Sequence, residues 1–339
     1  NQIKAPFLVL IVTIGVIFGC CINFAHAQTF NFKDNRKRSY IDFDLIKNLI
    51  IIPLYIDGKG PYNFLLDTGV GPMIITDPSL MDSLGLKNLR PMKIYGLGKG
   101  EEIDAFITQQ LKVDIKEASI ENIPTAILKE DVFNLSGYVG KKIYGIIGFY
   151  FFNSFVVKVS YSNKRVSFIS PLAKSRKKGY EIPITIENKK PYIHVEMITP
   201  QQKKITAKMI VDCGASHAVF VEALDGKAFP LPDSTIIANL GVGLSGPISG
   251  HVGRIPQLTI GKYNFKDIIA SFPAYEAVAG QIGYNTRNGN LGAEFLRRFD
   301  TIYDYQNSFM YLKPNQSYWQ NFDHDMSGFE IYTDPDDGN

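Results

Sequence analysis

Cysteine is scarce in this sequence: the chain has 339 residues, and 3 of them are cysteines. Cys20 and Cys21 lie in an apolar segment at the N-terminus, which leaves Cys213 as the single cysteine of the remainder. Once that segment is removed, no internal disulfide can form. A small fold held together by disulfides is therefore excluded. Stability has to come from a hydrophobic core, for which 45% apolar residues are ample.

An excess of charge of one sign is also missing. The formal net charge is +3, and the basic residues are spread along the chain except for the short run Lys174 to Lys178. A surface that binds nucleic acid needs a basic patch or stripe, so we expect no nucleic-acid partner. The short basic run is interpreted as a solvated linker.

Motifs for metal and dinucleotide chemistry are missing or incomplete. The string Gly241 to Gly246 fits the dinucleotide fingerprint, but no helix signal follows it and no β-α alternation surrounds it. We interpret it as a glycine-rich hairpin, and we expect neither a metal nor another cofactor. A zinc site assembled from distant residues stays open as an alternative. The sequence has no His-Glu-x-x-His, and the histidines after the N-terminal segment are scattered, at His194, His217, His251 and His324.

The strongly apolar run at the N-terminus, Phe7 to Gly19, has about thirteen residues, too few to cross a membrane comfortably. Lys4 precedes this run and Ala25-His26-Ala27 follows it, which is the small-x-small pattern of a signal-peptidase site. We therefore predict a signal peptide over 1–27 and an exported protein, periplasmic or at the cell surface, with no stable membrane span after cleavage. Because Ile17 to Cys20 resembles a lipobox, a lipoprotein anchored at that cysteine is the alternative.

One phrase occurs twice in the chain. Residues 65–71 read LLDTGVG and residues 210–216 read IVDCGAS, with the two aspartates 145 positions apart. Before each phrase stand two β-branched and aromatic runs that are separated by turn residues, Asp57 to Gly60 in the first case and Thr199 to Gln202 in the second. Each aspartate is therefore predicted to follow the second strand of a hairpin.

The parallel continues downstream of both phrases. Glycine clusters begin 29 positions after each aspartate, at Gly96 and at Gly241. An apolar segment with a glycine follows at 81 positions in Ile146-Ile147-Gly148 and at 80 positions in Asn290-Leu291-Gly292. Because helix signals are few, the sequence predicts a mostly all-β protein of two similar halves.

The domain organisation follows from this repeat. Helical turns are predicted at Asp77 to Leu84 and at Ala293 to Arg297. The last segment is polar and acidic, and we interpret it as disordered or as a loose surface strap. The predicted divisions are the signal peptide 1–27, an N-terminal lobe 28–170, a linker 171–179, a C-terminal lobe 180–314 and an acidic tail 315–339.

These repeated residues resemble the two-lobed aspartic peptidases of the pepsin and retropepsin clan, and among them the exported bacterial members. The resemblance implies two β-barrel-like lobes related by a pseudo-twofold axis, with Asp67 and Asp212 facing each other as catalytic residues. It also implies a hairpin flap, from Ile94 to Ala105, that closes over the substrate. The implied flap residues are Tyr95, Gly96, Leu97 and Gly98, and the residues implied to support the catalytic loops are Thr68, Gly69, Cys213, Gly214 and Ser216.

Two adjacent carboxyls explain the chemistry that the resemblance implies. They cannot both ionise cheaply, so they share one proton. The ionised member then removes a proton from a water while the protonated member polarises the scissile carbonyl. The implied activity is that of an endopeptidase acting on extended peptides or proteins without a metal. The sequence leaves the oligomeric state open.

The sequence departs from the clan's pattern at two supporting positions. Cys213 stands where a hydroxyl usually braces the opposite loop, and its S–H is a weaker donor. Gly71 stands where a serine usually bonds its own aspartate, whereas the second half has Ser216 there. Asp67 is therefore predicted to be the protonated member of the pair. These departures leave open a peptidase-shaped binding protein with little or no turnover.

A cysteine peptidase is a further alternative, because Cys213 and His217 lie close together in the sequence. The imidazole would have to fold back across a tight loop to reach the thiol, since the two residues are four positions apart. We therefore favour a packed cysteine and a loop histidine.

Overall fold

The structure is a computed structural model that describes residues 28–87, 89–94, 96, 102–282 and 287–323. The side chains of residues 279–282 are not included in that description. The predicted signal peptide and three of the predicted flap residues, Tyr95, Leu97 and Gly98, lie outside the described residues.

The described chain is built mainly of β-strands, which confirms the all-β prediction. The runs rich in Ile, Val, Leu and Phe form the strands, and short polar turns join them. In the first half the strands are β1 (Asn31–Phe32), β2 (Arg38–Asp42), β3 (Asp44–Ile46), β4 (Leu49–Ile56), β5 (Lys59–Leu66), β6 (Met73–Ile75), β7 (Arg90–Ile94), β8 (Ile103–Ile115), β9 (Ala118–Leu128), β10 (Gly145–Ile147), β11 (Val156–Ser160) and β12 (Arg165–Ile169).

The second half continues in the same manner. Its strands are β13 (Tyr180–Pro183), β14 (Thr185–Glu187), β15 (Lys190–Ile198), β16 (Lys204–Val211), β17 (Val219–Val221), β18 (Ala223–Leu224), β19 (Lys227–Ala228), β20 (Ile236–Gly243), β21 (Gly246–Ile260), β22 (Tyr263–Pro273), β23 (Gly289–Leu291), β24 (Phe299–Asp304) and β25 (Phe309–Pro314). The helices of the described chain are short: α1 (Ser79–Leu84), α2 (Leu135–Val139), α3 (Phe149–Ser154), α4 (Tyr275–Ile282), α5 (Ala293–Leu296) and a 3-10 turn (Tyr305–Asn307).

Two large sheets have matching strand pairings, except that the pairing of β1 with β9 has no counterpart in the second. The first has the order β1-β9-β6-β10-β5-β4-β8-β7, with β3 on β4, and the second has the order β14-β15-β16-β23-β17-β22-β21-β20. In the first, β10 lies parallel to β5 and antiparallel to β6. In the second, β23 lies parallel to β16 and antiparallel to β17. The loop after β5 and the loop after β16 therefore each follow a strand that lies beside a short parallel strand, β10 in the first sheet and β23 in the second.

A third sheet contains strands from both halves, in the order β13-β25-β24-β11-β12-β2. Its central pairing joins β11 to β24, with Val157 opposite Tyr303. Phe152 packs against Tyr303 with 5.1 Å between ring centroids, so aromatic contacts reinforce the junction. This shared sheet fixes the first large sheet against the second, which is a requirement for any site made from loops of both.

Two predictions about local structure are wrong in detail. The segment from Asn315 to Asp323 is not loose, because Phe322 is 5% exposed and its ring lies 3.8 Å from the guanidinium carbon of Arg298. Helix α1 begins at Ser79, two residues later than predicted, because the side chain of Asp77 accepts the N–H of Ser79 at 2.9 Å. In the part of the chain that is described, no helix has both the length and the apolar content to cross a membrane.

Candidate active site

The two repeated phrases form loops with the same internal hydrogen bond. The N–H of Gly69 donates to Asp67 Oδ1 at 2.5 Å, and the N–H of Gly214 donates to Asp212 Oδ1 at 3.1 Å. Each carboxyl is therefore held by the backbone two residues further on, which fixes its orientation at the end of β5 or β16.

The fold brings the two loops face to face. A Cβ added to Gly214 would lie 2.1 Å from Asp67 Cγ, and a Cβ added to Gly69 would lie 3.0 Å from the carboxyl atoms of Asp212. A side chain at Gly214 would collide with the opposite carboxyl, and one at Gly69 would make an unusually tight contact with it, so the close approach favours glycine at both positions. Each carboxyl therefore lies against the glycine of the opposite loop.

This proximity perturbs the protonation of the first aspartate. Burial raises the pKa of Asp67 well above its usual value, and the nearby charge of Asp212 and the hydrogen bond between the two side chains raise it further. The N–H of Gly69 and the charge of Lys190 act in the opposite direction. The pKa shift favours a proton on Asp67, as predicted, although burial rather than the missing serine at Gly71 is its main cause.

The residue after each aspartate braces the other loop. Thr68 Oγ1 donates to the carbonyl of Val211 at 2.6 Å and accepts the N–H of Cys213 at 3.0 Å. In return, Cys213 Sγ donates to the carbonyl of Leu66 at 3.3 Å. Thr68 and Cys213 are both fully buried. The brace is thus formed from both sides, with a thiol as the weaker donor on one of them.

The apolar segments with a glycine lie directly beneath the loops, as predicted. The N–H of Asp67 donates to the carbonyl of Ile147, and the N–H of Asp212 donates to the carbonyl of Leu291, both at 2.9 Å. A Cβ on Gly148 would lie 2.0 Å from the carbonyl oxygen of Asp67. These parallel-strand contacts hold the backbone of each aspartate and leave no room for a side chain below the first loop.

The polar support of Asp212 differs from the prediction. Ser216 hydrogen bonds with Tyr138 (3.0 Å) and through its carbonyl with Asn48 (3.2 Å), rather than with its own aspartate. The donor to Asp212 Oδ2 is the side-chain amide of Asn290, at 3.5 Å. Ser216 accepts hydrogen bonds from two residues of the first half, and no local sequence pattern could indicate these contacts.

Asn290 links Asp212 to His217. His217 Nε2 lies 2.5 Å from Asn290 Oδ1, and burial lowers the pKa of this histidine. A neutral imidazole with its proton on Nε2 donates to the amide oxygen, which orients the amide nitrogen toward the aspartate. In the sequence, Asn290 stood only as the first residue of the segment Asn290-Leu291-Gly292, so its polar role was missed.

The thiol does not have the environment of a nucleophile. Burial, followed by the charge of Asp67, raises the pKa of Cys213, and its hydrogen bond runs to Leu66 rather than to His217. This contradicts the cysteine-peptidase alternative. Among the described residues, no group of three or more His, Cys, Asp or Glu side chains is arranged to hold a metal ion.

A second hairpin reaches the site, and the sequence analysis did not assign it a role. Strands β20 and β21 form this hairpin, whose turn carries Leu244 and Ser245. Ser245 Oγ accepts the N–H of Gly96 at 3.2 Å, and a Cβ on Gly96 would lie 2.2 Å from Leu244 Cβ. The described residue of the predicted flap therefore touches the tip of the second hairpin. In the sequence, the glycine cluster Gly241 to Gly243 was the feature that could have indicated a role for this hairpin.

A cleft lies between the two halves beside the second loop. Its volume is about 560 Å³, which suits several side chains of an extended ligand. The second hairpin forms part of its wall, and residues of the first half form the other part. The residues that line it include Asn48, Leu49, Tyr138, Asp212, Ser216 and Gly241.

Comparison with known proteins agrees with part of this picture. Residues 52–151 match the family described as aspartyl protease, which supports an aspartyl protease family for the chain. No curated protein matches the chain. Among solved structures, a retropepsin-like aspartic protease from Rickettsia conorii is similar, at 15% identity and a TM-score of 0.30. That match covers 42% of this chain and 95% of the other.

Proposed function

We propose that the protein is an aspartic endopeptidase in which Asp67 and Asp212 activate one water between them. The observation that carries the proposal is the approach of the two carboxyls, each fixed by the N–H of a glycine and placed on opposite loops. A match of residues 52–151 to the aspartyl protease family agrees with it. We further propose that the two halves are the lobes of one exported protein.

The raised pKa of Asp67 suits the chemistry of such a pair. The protonated Asp67 donates a hydrogen bond to the scissile carbonyl, and the ionised partner removes a proton from the attacking water. When the tetrahedral intermediate collapses, the roles reverse and the amine leaves with a proton. The brace made by Thr68 and Cys213 keeps the two carboxyls at one separation throughout this exchange.

The proposed substrate is an extended segment of a peptide or protein. The cleft of about 560 Å³ lies beside Asp212 and is walled by apolar and polar side chains of both halves. Gly96 contacts the tip of the hairpin that carries Leu244, so both are placed to cover a bound chain. Covering would exclude water from the carboxyls and strengthen their electrostatic effect.

The test is cleavage of casein or of a peptide library by the purified protein, from acidic to neutral pH. We expect cleavage that pepstatin inhibits and that D67N and D212N each abolish. Asp82→Asn removes an exposed carboxyl on α1 and serves as the matched control, with activity unchanged. If the wild-type protein cleaves nothing over that range and yet binds peptides, it is a peptide-binding protein of the cell envelope instead.

A further inference from the structure

Leu49 occupies a defined position next to the first aspartate. Strand β4 pairs with β5 so that Ile51 lies opposite Leu65. Strand β5 ends at Leu66, and the same register extended by two residues beyond this pair sets Leu49 level with Asp67. Leu49 is 3% exposed and lines the cleft together with Asp212, so an apolar side chain forms this part of the wall.

Lys190 occupies the matching position in the second half. Strand β15 pairs with β16 so that Tyr192 lies opposite Ile210. Strand β16 ends at Val211, and the same extension by two residues sets Lys190 level with Asp212. The two halves therefore place a leucine beside one aspartate and a lysine beside the other.

Contacts of the neighbouring turn residues support this equivalence. Asn48, just before Leu49, reaches across to the second loop, where its side-chain amide donates to the carbonyl of Ser216 at 3.2 Å. Lys189, just before Lys190, reaches across to the first loop, and its Cδ would lie 3.4 Å from a Cβ added to Gly71. Gly71 and Ser216 both stand four residues after their aspartates. Each hairpin thus contacts the loop of the other half in the same way.

The charge of Lys190 has no dedicated partner. Within the described part of the chain, its ammonium makes no hydrogen bond and no ion pair. The nearby carboxylate of Glu222 is already bonded to Arg287 at 2.7 Å, in a pair that is almost fully buried. Burial and the charge of Arg287 lower the pKa of Lys190, whereas the charges of Asp212, Asp67 and Glu222 raise it. An ammonium in this setting gains from a carboxylate supplied by a ligand.

We propose that Lys190 is a specificity residue that selects an Asp or Glu side chain of the substrate on the side of the two aspartates opposite Leu49. This inference rests on the proposed peptidase function and adds the substrate class. The surroundings of the aspartates are then asymmetric: Leu49 lines the cleft beside Asp212, and the equivalence of the two halves sets the charge of Lys190 on the other side. A substrate with an apolar residue on one side of the scissile bond and an acidic residue on the other fits this asymmetry.

The size of the expected preference for Glu over Gln follows from the hydrogen bond between the Lys190 ammonium and the substrate carboxylate. A charge-assisted hydrogen bond inside a partly desolvated cleft discriminates against an uncharged isostere by about tenfold or more. Glu and Gln differ in charge but hardly in shape, so a pair of peptides that differ only in this residue isolates the effect of the ammonium.

The experiment begins with cleavage-site profiling of a proteome-derived peptide library, followed by a Glu/Gln peptide pair synthesised around the preferred site. The variants are K190M, K190R and, as a control, K204M. Lys204 also lies on the β15–β16 hairpin, but it is exposed and paired with Glu196 at 3.0 Å. The wild-type protein and K204M should prefer Glu over Gln by about tenfold in kcat/KM. K190R should keep the preference, and K190M should reduce it to about equal rates.

Two results would overturn the proposal: a wild-type profile without acidic enrichment at any position, or an unchanged Glu preference in K190M. If nothing is cleaved, the peptidase function fails, and a binding experiment decides the role of Lys190. An array of peptides in which each Glu is replaced by Gln is then probed with the wild-type protein and K190M. Acidic peptides should bind the wild-type protein about tenfold tighter than their Gln partners. Equal binding would refute the selection.

Discussion

Thr68 and Cys213 support each other's loops through bonds of unequal strength. The hydroxyl of Thr68 makes two bonds to the second loop, at 2.6 Å and 3.0 Å, whereas the thiol of Cys213 donates one bond to Leu66 at 3.3 Å. Because a thiol is a weak donor, most of the bracing comes from the threonine. The distance between the two carboxyls therefore depends more on Thr68 than on its counterpart.

Thr68→Val should lower both stability and activity. The change keeps the shape but leaves the N–H of Cys213 without its acceptor in a fully buried place, which costs about 1–3 kcal/mol. Urea unfolding measures the loss. Thr125→Val is the matched control, since that buried hydroxyl bonds only to Ile123 on its own strand, and a smaller loss is expected.

Cys213→Thr should preserve cleavage and leave stability unchanged or raise it by up to about 1 kcal/mol, because a hydroxyl is the stronger donor to Leu66. Urea unfolding and a casein assay measure the two quantities. Complete loss of cleavage in this variant would show that the thiol has a role that bracing does not explain.

The raised pKa of Asp67 predicts a pH dependence of stability. The folded protein retains a proton that the unfolded chain releases above about pH 4. The stabilising contribution of that proton is therefore complete below pH 4 and is lost as the pH rises toward the raised pKa, by at most about 1.4 kcal/mol per pH unit. D67N should remove this loss, so the variant is more stable than the wild type at neutral pH and about equal to it below pH 4.

Urea unfolding between pH 3 and pH 8 measures the slope. The control D82N removes an exposed carboxyl, so its profile should run parallel to that of the wild type. A D67N profile parallel to that of the wild type would mean that Asp67 ionises in the folded protein as it does in the unfolded chain.

The two glycines of the loops should differ in their tolerance of alanine. A Cβ at position 214 would lie 2.1 Å from Asp67 Cγ, whereas one at position 69 would lie 3.0 Å from the nearest carboxyl atoms of Asp212. Gly214→Ala should therefore displace Asp67 and reduce kcat by 100-fold or more, since misplacement of about 1 Å has such an effect. Gly69→Ala should have a smaller effect. Equal effects on kcat would contradict the asymmetry.

Much of the site could be predicted because its geometry is encoded locally. A strand, an Asp-x-Gly turn and an apolar segment with a glycine appear in the sequence as short patterns, and their nearly equal spacing in both halves indicated that Asp67 and Asp212 belong together. What could not be predicted depends on contacts between the halves. Ser216 is bonded by Tyr138 and Asn48, and no local pattern indicates how one half lies against the other.

Residues 315–323, the described part of the C-terminal segment, show how composition can mislead. Acidic and polar residues suggested a loose tail, yet Phe322 is buried against the guanidinium of Arg298, and the carbonyl of Asn321 accepts a bond from the same group at 2.8 Å. A buried cation needs such partners, and only the folded second half reveals that Arg298 is buried.

Phe322→Ala should destabilise the second half by about 3–5 kcal/mol, because it removes a buried ring and the cation–π contact of Arg298. Trp319→Ala is the matched control in the same segment. Trp319 is 87% exposed, and its removal should change stability by less than about 0.5 kcal/mol. Thermal or urea unfolding compares the two variants, and similar losses would show that the segment is not packed as described.

The contact between Gly96 and Leu244 predicts coupling between the two hairpins. Gly96→Ala places a methyl group 2.2 Å from Leu244 Cβ, so positions 96 and 244 have to move apart. If both hairpins cover the substrate, KM should rise several-fold while global stability changes little. In a Leu244→Gly background the obstacle is gone, and the same change at Gly96 should raise KM by a much smaller factor. A double-mutant cycle on KM measures this coupling. An equal effect of Gly96→Ala in both backgrounds would mean that positions 96 and 244 are not in contact when the substrate binds.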